Sequence, residues 1–210
     1  MYSVIVTVHN GETFLAAALE SIFAQTLRPV EVIVVNDSSK DNTDQILLDF
    51  KKKISIIKCE ERNQSVALNI GICHAKSEFI AFLDHDDLWV SEKQEEQIEI
   101  LKASGADCVS GGVSNFHLIN NRKYFGPARV FGATTFRSAS FKRVGLLDES
   151  IKHHAIFEWW SRASVYGLHA LRLDREHLLR RIHNQNSGIA HKPESRRALL
   201  EVIRAHMRRG

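Results

Sequence analysis

The sequence lacks several features that would assign a chain to a class of protein at once. Its three cysteines are odd in number and widely spaced, which argues against a disulfide framework or a zinc knuckle and favours free thiols in a reducing compartment. No apolar run approaches the ~20 residues that a membrane-spanning helix needs. Met1 leads directly into a strand-like run without a signal peptide. We therefore expect a soluble, cytoplasmic protein that meets a membrane only at the surface.

An excess of charge of one sign is also missing. The 210 residues carry a net charge of only +3, so the sequence predicts no general affinity for nucleic acid or other polyanions. No glycine-rich turn follows the first strand-like run, which argues against a nicotinamide-dependent dehydrogenase. A phosphatase with an aspartyl nucleophile would carry its acidic pair after the first strand, whereas the acidic residues here follow the fourth.

What the chain does contain is an alternation of short apolar runs and helical patterns. The runs are typical of strands buried on both faces of a parallel sheet, and they cover residues 4–6, 30–35, 54–57 and 79–83. Helical patterns follow them over residues 13–25, 43–50, 66–75 and 91–103. Ser91 and Gln94 have the spacing of a capping box at the start of the last of these. This alternation predicts an α/β layered fold over residues 1–110.

The second half of the chain is less regular. It contains two strand-like segments joined by an Asn120–Asn121 turn. A helix over residues 157–166 ends at Gly167, and a last helix covers residues 194–209. The segment 168–182 mixes strand character with a pattern that predicts no single element. One compact unit of 210 residues is the simplest interpretation.

Polar side chains follow all four apolar runs, at the points where the strands end. Any one of these loops could be structural, because loops are polar in general and Asn, Asp and Ser favour turns. Ligands of open parallel sheets bind beyond the carboxyl ends of the strands, so the four loops together predict a binding site at that edge. The residues concerned are Thr7, His9, Asn10, Asn36, Asp37, Ser38, Ser39, Gln64, Ser65 and Asp84 to Asp87.

The stretch FLDHDDLW, residues 82–89, places three aspartates within four residues. These carboxylates repel one another, and two of them one residue apart at a strand end can share a hard divalent cation at about 2.1 Å. Such a cation removes the repulsion and keeps coordination positions for phosphate oxygens, as magnesium and manganese do. The alternative is that Asp86 or Asp87 caps the next helix, although Ser91 is better placed for that role.

Several longer segments carry a recognisable pattern: in order, they are SVIVTVHNGETFLAAALESIFAQT, VEVIVVNDSSKDNT, QSVALNIGICHAKSEFIAFLDHDDLWVSEK and VGLLDES, with FEWWSRASVYGL and RRIHNQNSG as later landmarks. As a set, these segments resemble the inverting nucleotide-diphosphosugar glycosyltransferases of family 2, which have the GT-A fold. The resemblance implies an α/β fold with a Rossmann-like, mostly parallel central sheet flanked by helices. It also implies one glycosyltransferase domain over residues 1–210, with a nucleotide-sugar-binding half (1–110) and a less regular acceptor-side half (111–210).

The resemblance assigns roles to individual residues. His9 replaces an aromatic residue that usually stacks on the base, and Asp37 matches the carboxylate that accepts a hydrogen bond from the base. Asp86 is the implied metal ligand, and His183 stands where related enzymes bring a histidine back to the metal or pyrophosphate; an ordinary surface or core histidine is the alternative. The implied nucleotide-sugar-binding set is Thr7, His9, Asn10, Asp37, Gln64, Asp84 and His85, and the implied metal set is Asp86 and His183.

The catalytic base is where the chain departs from the family. The family base is the Asp of a Glu-Asp pair before the helix that ends in Arg162, and alignment on Arg162 places Ala155 and Ile156 there. Glu158 is the nearest carboxylate and is our candidate base, with a solvated or Arg-paired glutamate as the alternative. A helix rotates by roughly 200° between positions 156 and 158, so Glu158 should face elsewhere unless the helix starts late.

Other departures leave further possibilities open. His153 and His154 are also candidate bases, because an imidazole titrates near neutrality. Leu68 replaces an arginine common in the family, and Asn36 replaces the first of two aspartates. Together with the missing base, these changes leave open a catalytically degenerate module that binds a nucleotide or nucleotide-sugar on the same fold.

The resemblance implies an enzyme that moves a sugar, with inversion, from a UDP-, dTDP- or GDP-sugar to an acceptor hydroxyl in cell-surface polysaccharide biosynthesis. The cofactor would be manganese or magnesium, and the acceptor a glycan, a lipid-linked sugar or another hydroxyl compound. Trp159 and Trp160 could form an acceptor platform, although one of them is expected in the core. The basic helix 194–209 could lie on an anionic membrane surface, although packing on the domain is the simpler expectation.

Overall fold

The structure is a computed structural model, and it describes residues 1–117, 121–151 and 154–183. Three sequence predictions lie wholly or partly outside the described residues: the turn at Asn120–Asn121, the candidate base His153 and the basic helix 194–209. No helix among the described residues combines the length and the apolar character needed to cross a bilayer.

Nine strands of the described chain form one sheet. They are β1 (Tyr2–Val8), β2 (Glu31–Asp37), β3 (Ser55–Cys59), β4 (Phe79–Asp84), β5 (Leu88–Trp89), β6 (Cys108–His117), β7 (Asn121–Pro127), β8 (Thr134–Arg137) and β9 (Ala170–Arg181). Their order is β3-β2-β1-β4-β8-β6-β9-β5, and β7 pairs with β6 at one side of this path. The first four strands pair with one another only in parallel, whereas β8 pairs with both β4 and β6 in antiparallel fashion.

Six α-helices flank this sheet in the described chain. They are α1 (Leu15–Phe23), α2 (Thr43–Phe50), α3 (Gln64–His74), α4 (Lys93–Ser104), α5 (Ala139–Val144) and α6 (Ala155–Val165). The first three connect consecutive parallel strands, which is the crossover that such strands require. The strand–helix alternation predicted for the first half is therefore present, with each element within a few residues of its predicted bounds.

Both faces of the parallel strands are buried, which explains why they read as continuous apolar runs. Along β1, Val4 and Val6 pack into a cluster with side chains of α1, α2 and α4. Ile5, between them, points to the opposite face and joins a cluster with α3, α5 and α6. Trp159 and Trp160 both belong to this second cluster, at 0% and 5% exposure. The idea that these two indoles form an acceptor platform is therefore wrong.

Three elements differ from the sequence predictions. The capping box at Ser91 is wrong, because α4 begins two residues later and the Ser91 hydroxyl donates to the Glu92 carboxylate instead. The unassigned segment 168–182 is largely β9, a strand of 12 residues. The strand β5 has only two residues, too few for a sequence pattern to predict a strand, and it forms because β9 pairs with it.

Candidate functional site

The carboxyl ends of the parallel strands meet at one edge of the sheet. In β1, Thr7 is paired with Val35 of β2 on one side and with Asp84 of β4 on the other. Asp37, at the end of β2, is paired in turn with Cys59 of β3. The register thus brings the loops after all four strands to the same edge, as the alternation of the sequence predicts.

Hydrogen bonds join the loop after β1 to the loop after β2. The backbone N–H of Asn10 donates to the Ser39 hydroxyl at 3.0 Å, and the Asn10 side-chain oxygen accepts from the backbone of Lys40 at 2.8 Å. The backbone N–H of Gly11 donates to the buried Thr43 hydroxyl at 2.8 Å. These bonds fix the position of the loop that begins α1.

Left-handed backbone conformations collect in these loops. Among the described residues, four non-glycine residues have positive φ: Asn10 at 55°, Ser38 at 57°, Arg62 at 47° and His154 at 66°. Such conformations cost free energy in L-residues and are found where other contacts hold them, often at functional sites. Three of the four follow β1, β2 and β3 at the site edge, and the fourth precedes α6.

His9 links the first three loops through its two ring nitrogens. Its Nδ1 lies 2.6 Å from the backbone carbonyl oxygen of Asp37, which can only accept, so Nδ1 carries a hydrogen. Its Nε2 lies 3.3 Å from Arg62 Nη2 and 3.3 Å from Asn10 Nδ2, both donors, so Nε2 is the acceptor. His9 is therefore held with a defined tautomer, and it places the Arg62 guanidinium at the sheet edge.

Asp37 is nearly buried and its carboxylate is incompletely satisfied. The side chain is 7% exposed, and Oδ1 has no hydrogen-bond donor among the described residues. Burial, with the nearby Asp37 carboxylate as a further cause, raises the pKa of the neighbouring Cys59 thiol. A buried acceptor without a donor costs about 1–3 kcal/mol, so this oxygen is suited to accept a hydrogen bond from a ligand.

The three aspartates after β4 form a compact acidic cluster. Asp84, Asp86 and Asp87 each offer a carboxylate oxygen within 4.8 Å of the others. Asp84 has a face open to solvent but is set deep between the loops. This burial and the Asp86 carboxylate raise the pKa of Asp84 to about 6, and the positive charge of Arg180 opposes the shift. Asp87 is buried, and that burial together with the Asp84 and Asp86 charges raises its pKa as well.

The end of β9 completes this cluster from the far side. The backbone N–H of Arg181 donates to Asp87 Oδ1 at 2.9 Å, and Arg181 Nε donates to the backbone oxygen of Asp86 at 3.0 Å. His183 Nε2 lies 2.9 Å from Asp86 Oδ2. The two residues of the implied metal set, Asp86 and His183, are therefore in direct contact although 97 positions separate them in the sequence.

His85 and Gln64 occupy different positions relative to this cluster. Burial lowers the pKa of His85, which also hydrogen-bonds the Thr7 backbone. A Cβ on Gly11 would lie 2.4 Å from Val8 Cγ2 and 3.2 Å from the His85 ring, so this close approach requires glycine. Gln64 is exposed at the start of α3, and no hydrogen bond among the described residues joins it to the other candidates.

Glu158 is not brought to the acidic cluster by any contact among the described residues. The helix α6 starts at Ala155 rather than late, so Glu158 lies within it. Glu158 as a whole residue is 7% exposed, and Arg162 Nε donates to both of its carboxylate oxygens, at 2.8 and 3.0 Å. Arg162 also donates to the backbone oxygens of Val144 and Leu146, so the pair holds the loop after α5.

Two further residues lie at the site, although the sequence alone assigned neither of them a role in binding or catalysis. Phe14 precedes α1, and its ring lies 4.9 Å from that of His183. The guanidinium carbon of Arg181 lies over the rings of Phe14 and Phe116, 4.6 and 4.7 Å from their centres. Arg181 could have been noticed from its place two residues before His183, whereas Phe14 has no distinguishing signal in the sequence.

Solved structures with the same architecture identify the fold. The crystal structure of S. aureus TarS 1-349 in complex with UDP-GlcNAc matches 96% of this chain and 65% of its own chain, with a TM-score of 0.77 and 17% identity. Another crystal structure of S. aureus TarS matches 98% of this chain and 38% of its own, with a TM-score of 0.76 and 20% identity. The protein therefore has the GT-A glycosyltransferase fold, as the resemblance of the sequence implied.

The family follows from the sequence comparison. The profile described as Glycosyl transferase family 2 matches residues 3–165, most of the chain, so this protein belongs to glycosyltransferase family 2. An uncharacterised glycosyltransferase of Rickettsia typhi is 31% identical over 192 residues, which cover 79% of this chain and 60% of the relative. The UDP-Glc:alpha-D-GlcNAc-diphosphoundecaprenol beta-1,3-glucosyltransferase WfgD of Escherichia coli is 32% identical over 128 residues, 60% of this chain and 49% of WfgD. The chain spans less than two thirds of the length of these relatives.

Proposed function

We propose that this chain transfers a sugar from a nucleotide-diphosphosugar to an acceptor hydroxyl, with a divalent cation and with inversion at the anomeric carbon. One observation carries the proposal. Asp86 and His183 meet within the acidic cluster, at the same sheet edge where the buried Oδ1 of Asp37 has no donor in the part of the chain that the structure describes. A cation site next to an unsatisfied acceptor suits a ligand that has both phosphates and a base with an N–H group.

The donor atoms fit a divalent cation. The three carboxylates lie within 4.8 Å of one another, which is close enough to share one ion, and His183 already contacts Asp86. Because magnesium prefers oxygen ligands alone and an imidazole suits transition metals, we propose manganese as the better cofactor, with magnesium as a weaker substitute. When bound there, such a cation would stabilise the charge that develops on a departing diphosphate.

The remaining candidates would hold the donor and take the proton of the acceptor. Thr7, His9, Asn10 and Asp37 would contact the nucleoside, with Asp37 accepting from the base and His9 beside it. The acceptor proton would pass to Glu158 or to His154, since both lie at the start of α6, where the usual carboxylate position is taken by Ile156. Glu158 can serve only if its bonds to Arg162 loosen when the acceptor binds, because Arg162 Nε donates to both of its carboxylate oxygens.

The names of similar proteins support one class of donor and one class of acceptor. S. aureus TarS has been solved with UDP-GlcNAc, and the E. coli relative is named for transfer from UDP-Glc to a diphosphoundecaprenol-linked sugar. We propose a UDP-sugar donor, ahead of dTDP- and GDP-sugars, and a lipid-linked glycan acceptor. We also propose that residues 1–210 act as one glycosyltransferase domain on the cytoplasmic side of a membrane.

The test measures nucleotide release with manganese present, using UDP-, dTDP- and GDP-sugars with and without a diphospholipid-linked GlcNAc acceptor. We expect acceptor-dependent release with one UDP-sugar, abolished by Asp86→Ala. Asp49→Asn is the matched control, because Asp49 is an exposed carboxylate on α2, and this variant should retain full release. Release from no donor in the unchanged protein would count against a transferase.

A second candidate function rests on the start of α6. Ala155 and Ile156 cannot accept a proton, and the nearest carboxylate, Glu158, is paired with Arg162. This favours a module that binds a nucleotide-sugar without turning it over. Calorimetric titration of UDP with manganese that shows binding, together with no release for any donor and acceptor, would select the module over the enzyme.

A further inference from the structure

Arg181 contacts the acidic loop through both its main chain and its side chain. Its backbone N–H binds the carboxylate of Asp87, and its side-chain Nε binds the backbone oxygen of Asp86. The next backbone N–H, that of Ile182, donates to the Phe116 carbonyl at 3.0 Å and so fixes the end of β9 to β6. The loop that carries the acidic cluster is thus tied to β9 immediately before His183.

The guanidinium of Arg181 also contacts two aromatic rings. Its carbon lies 4.6 Å from the ring centre of Phe14, just before α1, and 4.7 Å from that of Phe116, on β6. A planar guanidinium stacks on aromatic rings while its edge donates hydrogen bonds, which the ammonium of lysine cannot reproduce. Phe14 contacts the His183 ring as well, at 4.9 Å between centroids. Three separate segments therefore converge on one arginine.

We propose that Arg181 is a positioning residue that clamps the main chain of Asp86, so that the Asp86 carboxylate and the His183 imidazole keep the geometry needed to hold a divalent cation. This inference rests on the proposed function, because it assumes that Asp86 and His183 are ligands. It assigns Arg181 no contact with the cation or with the donor. Residues that orient metal ligands in this way change metal affinity by about 10- to 100-fold when they are replaced.

A purely structural role is the competing explanation, and the chain contains a matched arginine with which to test it. Arg137 stacks on Phe79 at 5.2 Å, pairs with Glu78 at 2.7 Å and donates to the backbone oxygens of Ala106 and Leu101. It makes these contacts where β4 begins, at the end of that strand opposite to the acidic cluster. Replacing either arginine by lysine removes the same stacking and planar donor geometry and keeps the charge.

The experiment compares Arg181→Lys with Arg137→Lys in the full chain. Manganese affinity is measured with and without UDP, from the free-ion signal in electron paramagnetic resonance, and stability from thermal unfolding. Hydrogen–deuterium exchange of the segment 84–90 is followed without metal. We expect Arg181→Lys to weaken manganese binding by about tenfold or more and to speed exchange in this segment. Arg137→Lys should lower the melting temperature while manganese affinity and exchange of that segment stay as in the unchanged protein.

The outcomes separate this inference from the proposed function. Manganese affinity and exchange in Arg181→Lys that equal those of the unchanged protein would overturn the clamp and leave the proposed function intact. Equal losses of manganese affinity in both lysine variants would also overturn it, because they would reflect general destabilisation. An unchanged protein that binds no manganese, with or without UDP, would refute both the metal-dependent function and the positioning role.

Discussion

The two halves of the sheet differ in how they are built and in how closely they follow the family pattern. Strands β1 to β4 come from consecutive strand–helix units, and their ends carry Asp37 and the acidic cluster. Among strands β5 to β9, only β6 and β7 pair as neighbours in sequence; β5 and β6 both pair with the distant β9, and helix α6, between β8 and β9, has Ala155 and Ile156 where the family resemblance implies the base. The donor side of the proposed function thus rests on the consecutive units, and its acceptor side rests on the part of the chain that departs from the family pattern. This difference suggests that donor binding and acceptor activation can be perturbed separately.

The largest expected effect lies where the two halves meet. If Asp86 and His183 hold manganese as proposed, Asp86→Asn should weaken manganese binding at least 100-fold, because it removes an anionic ligand from the first half. His183→Gln should weaken it about tenfold, because it removes an imidazole ligand from the second. Paramagnetic resonance titration of manganese in the presence of UDP measures both. If His183→Gln binds manganese as tightly as the unchanged protein, the second half of the sheet contributes no ligand to the cation.

The next effect tests the acceptor side alone. If Glu158 takes the acceptor proton, Glu158→Gln should lower kcat at least 100-fold, the range for loss of a general base, and leave KM for the donor nearly unchanged. Steady-state release with saturating acceptor measures this split. Arg162→Lys is the control, because it weakens the ion pair but keeps the carboxylate. A fall in melting temperature with kcat preserved would make Glu158 structural and leave His154 as the candidate base.

A smaller effect tests the donor side alone. Asp37→Asn should weaken UDP binding by about tenfold, since a hydrogen bond to a charged acceptor contributes about 1.5–3 kcal/mol. The melting temperature should stay equal or rise, because the change removes a buried charge whose Oδ1 lacks a donor among the described residues. Calorimetric titration of UDP and thermal unfolding measure the two quantities. Reduced stability with unchanged UDP affinity would show that Asp37 serves the fold rather than a ligand.

The smallest effect concerns the interior between the halves. Lys93 is fully buried, with its ammonium 4.3 Å from the Trp89 ring centre, and burial lowers its pKa well below the usual value. The unfolded state therefore binds more protons between the folded and unfolded pKa values, so stability rises with pH across that window. Below the window the full cost of burying the charge is present.

Lys93→Met should remove this cost. We expect about 1 kcal/mol more stability at pH 7, or roughly 2–4 °C in melting temperature, and a difference that shrinks as the pH rises toward 10. Thermal unfolding at several pH values measures both trends. A variant that is less stable at every pH would mean that the ring contact and the bonds to Gln97 and Thr135 outweigh the burial cost.

The sequence predicts the two halves to different extents for physical reasons. Strands such as β1 are buried on both faces, so their apolar runs are visible in the sequence, and parallel pairing then fixes where Asp37 and Asp84 must lie. The strand β5 has only two residues and forms because β9 pairs with it, which no local pattern reveals. The direction of the Glu158 carboxylate depends on where α6 begins, and helix ends are weakly encoded when no capping side chain is present.

Local sequence patterns also do not reveal which residues a given side chain contacts. Phe14 has the pattern of an apolar helix residue, yet it lies outside α1 and supports Arg181 and His183. Whether an aromatic side chain faces the core or a charged group depends on segments a hundred residues away. The resemblance implies Asp86 and His183 together as a metal set, but no local pattern reveals the contact between them, which depends on the pairing of β9 with β5 and β6.

The bond between His183 and Asp86 has a consequence for the order of events during synthesis. A ribosome that has released the first 110 residues has supplied the parallel strands β1 to β4 and all three aspartates, but neither β9 nor His183. The acidic loop must therefore remain without its tie to β9 until the chain has been extended past residue 183. If Asp86 and His183 hold a cation as proposed, a nascent or truncated product would lack a complete site, and the appearance of tight manganese binding would report that translation has passed that point.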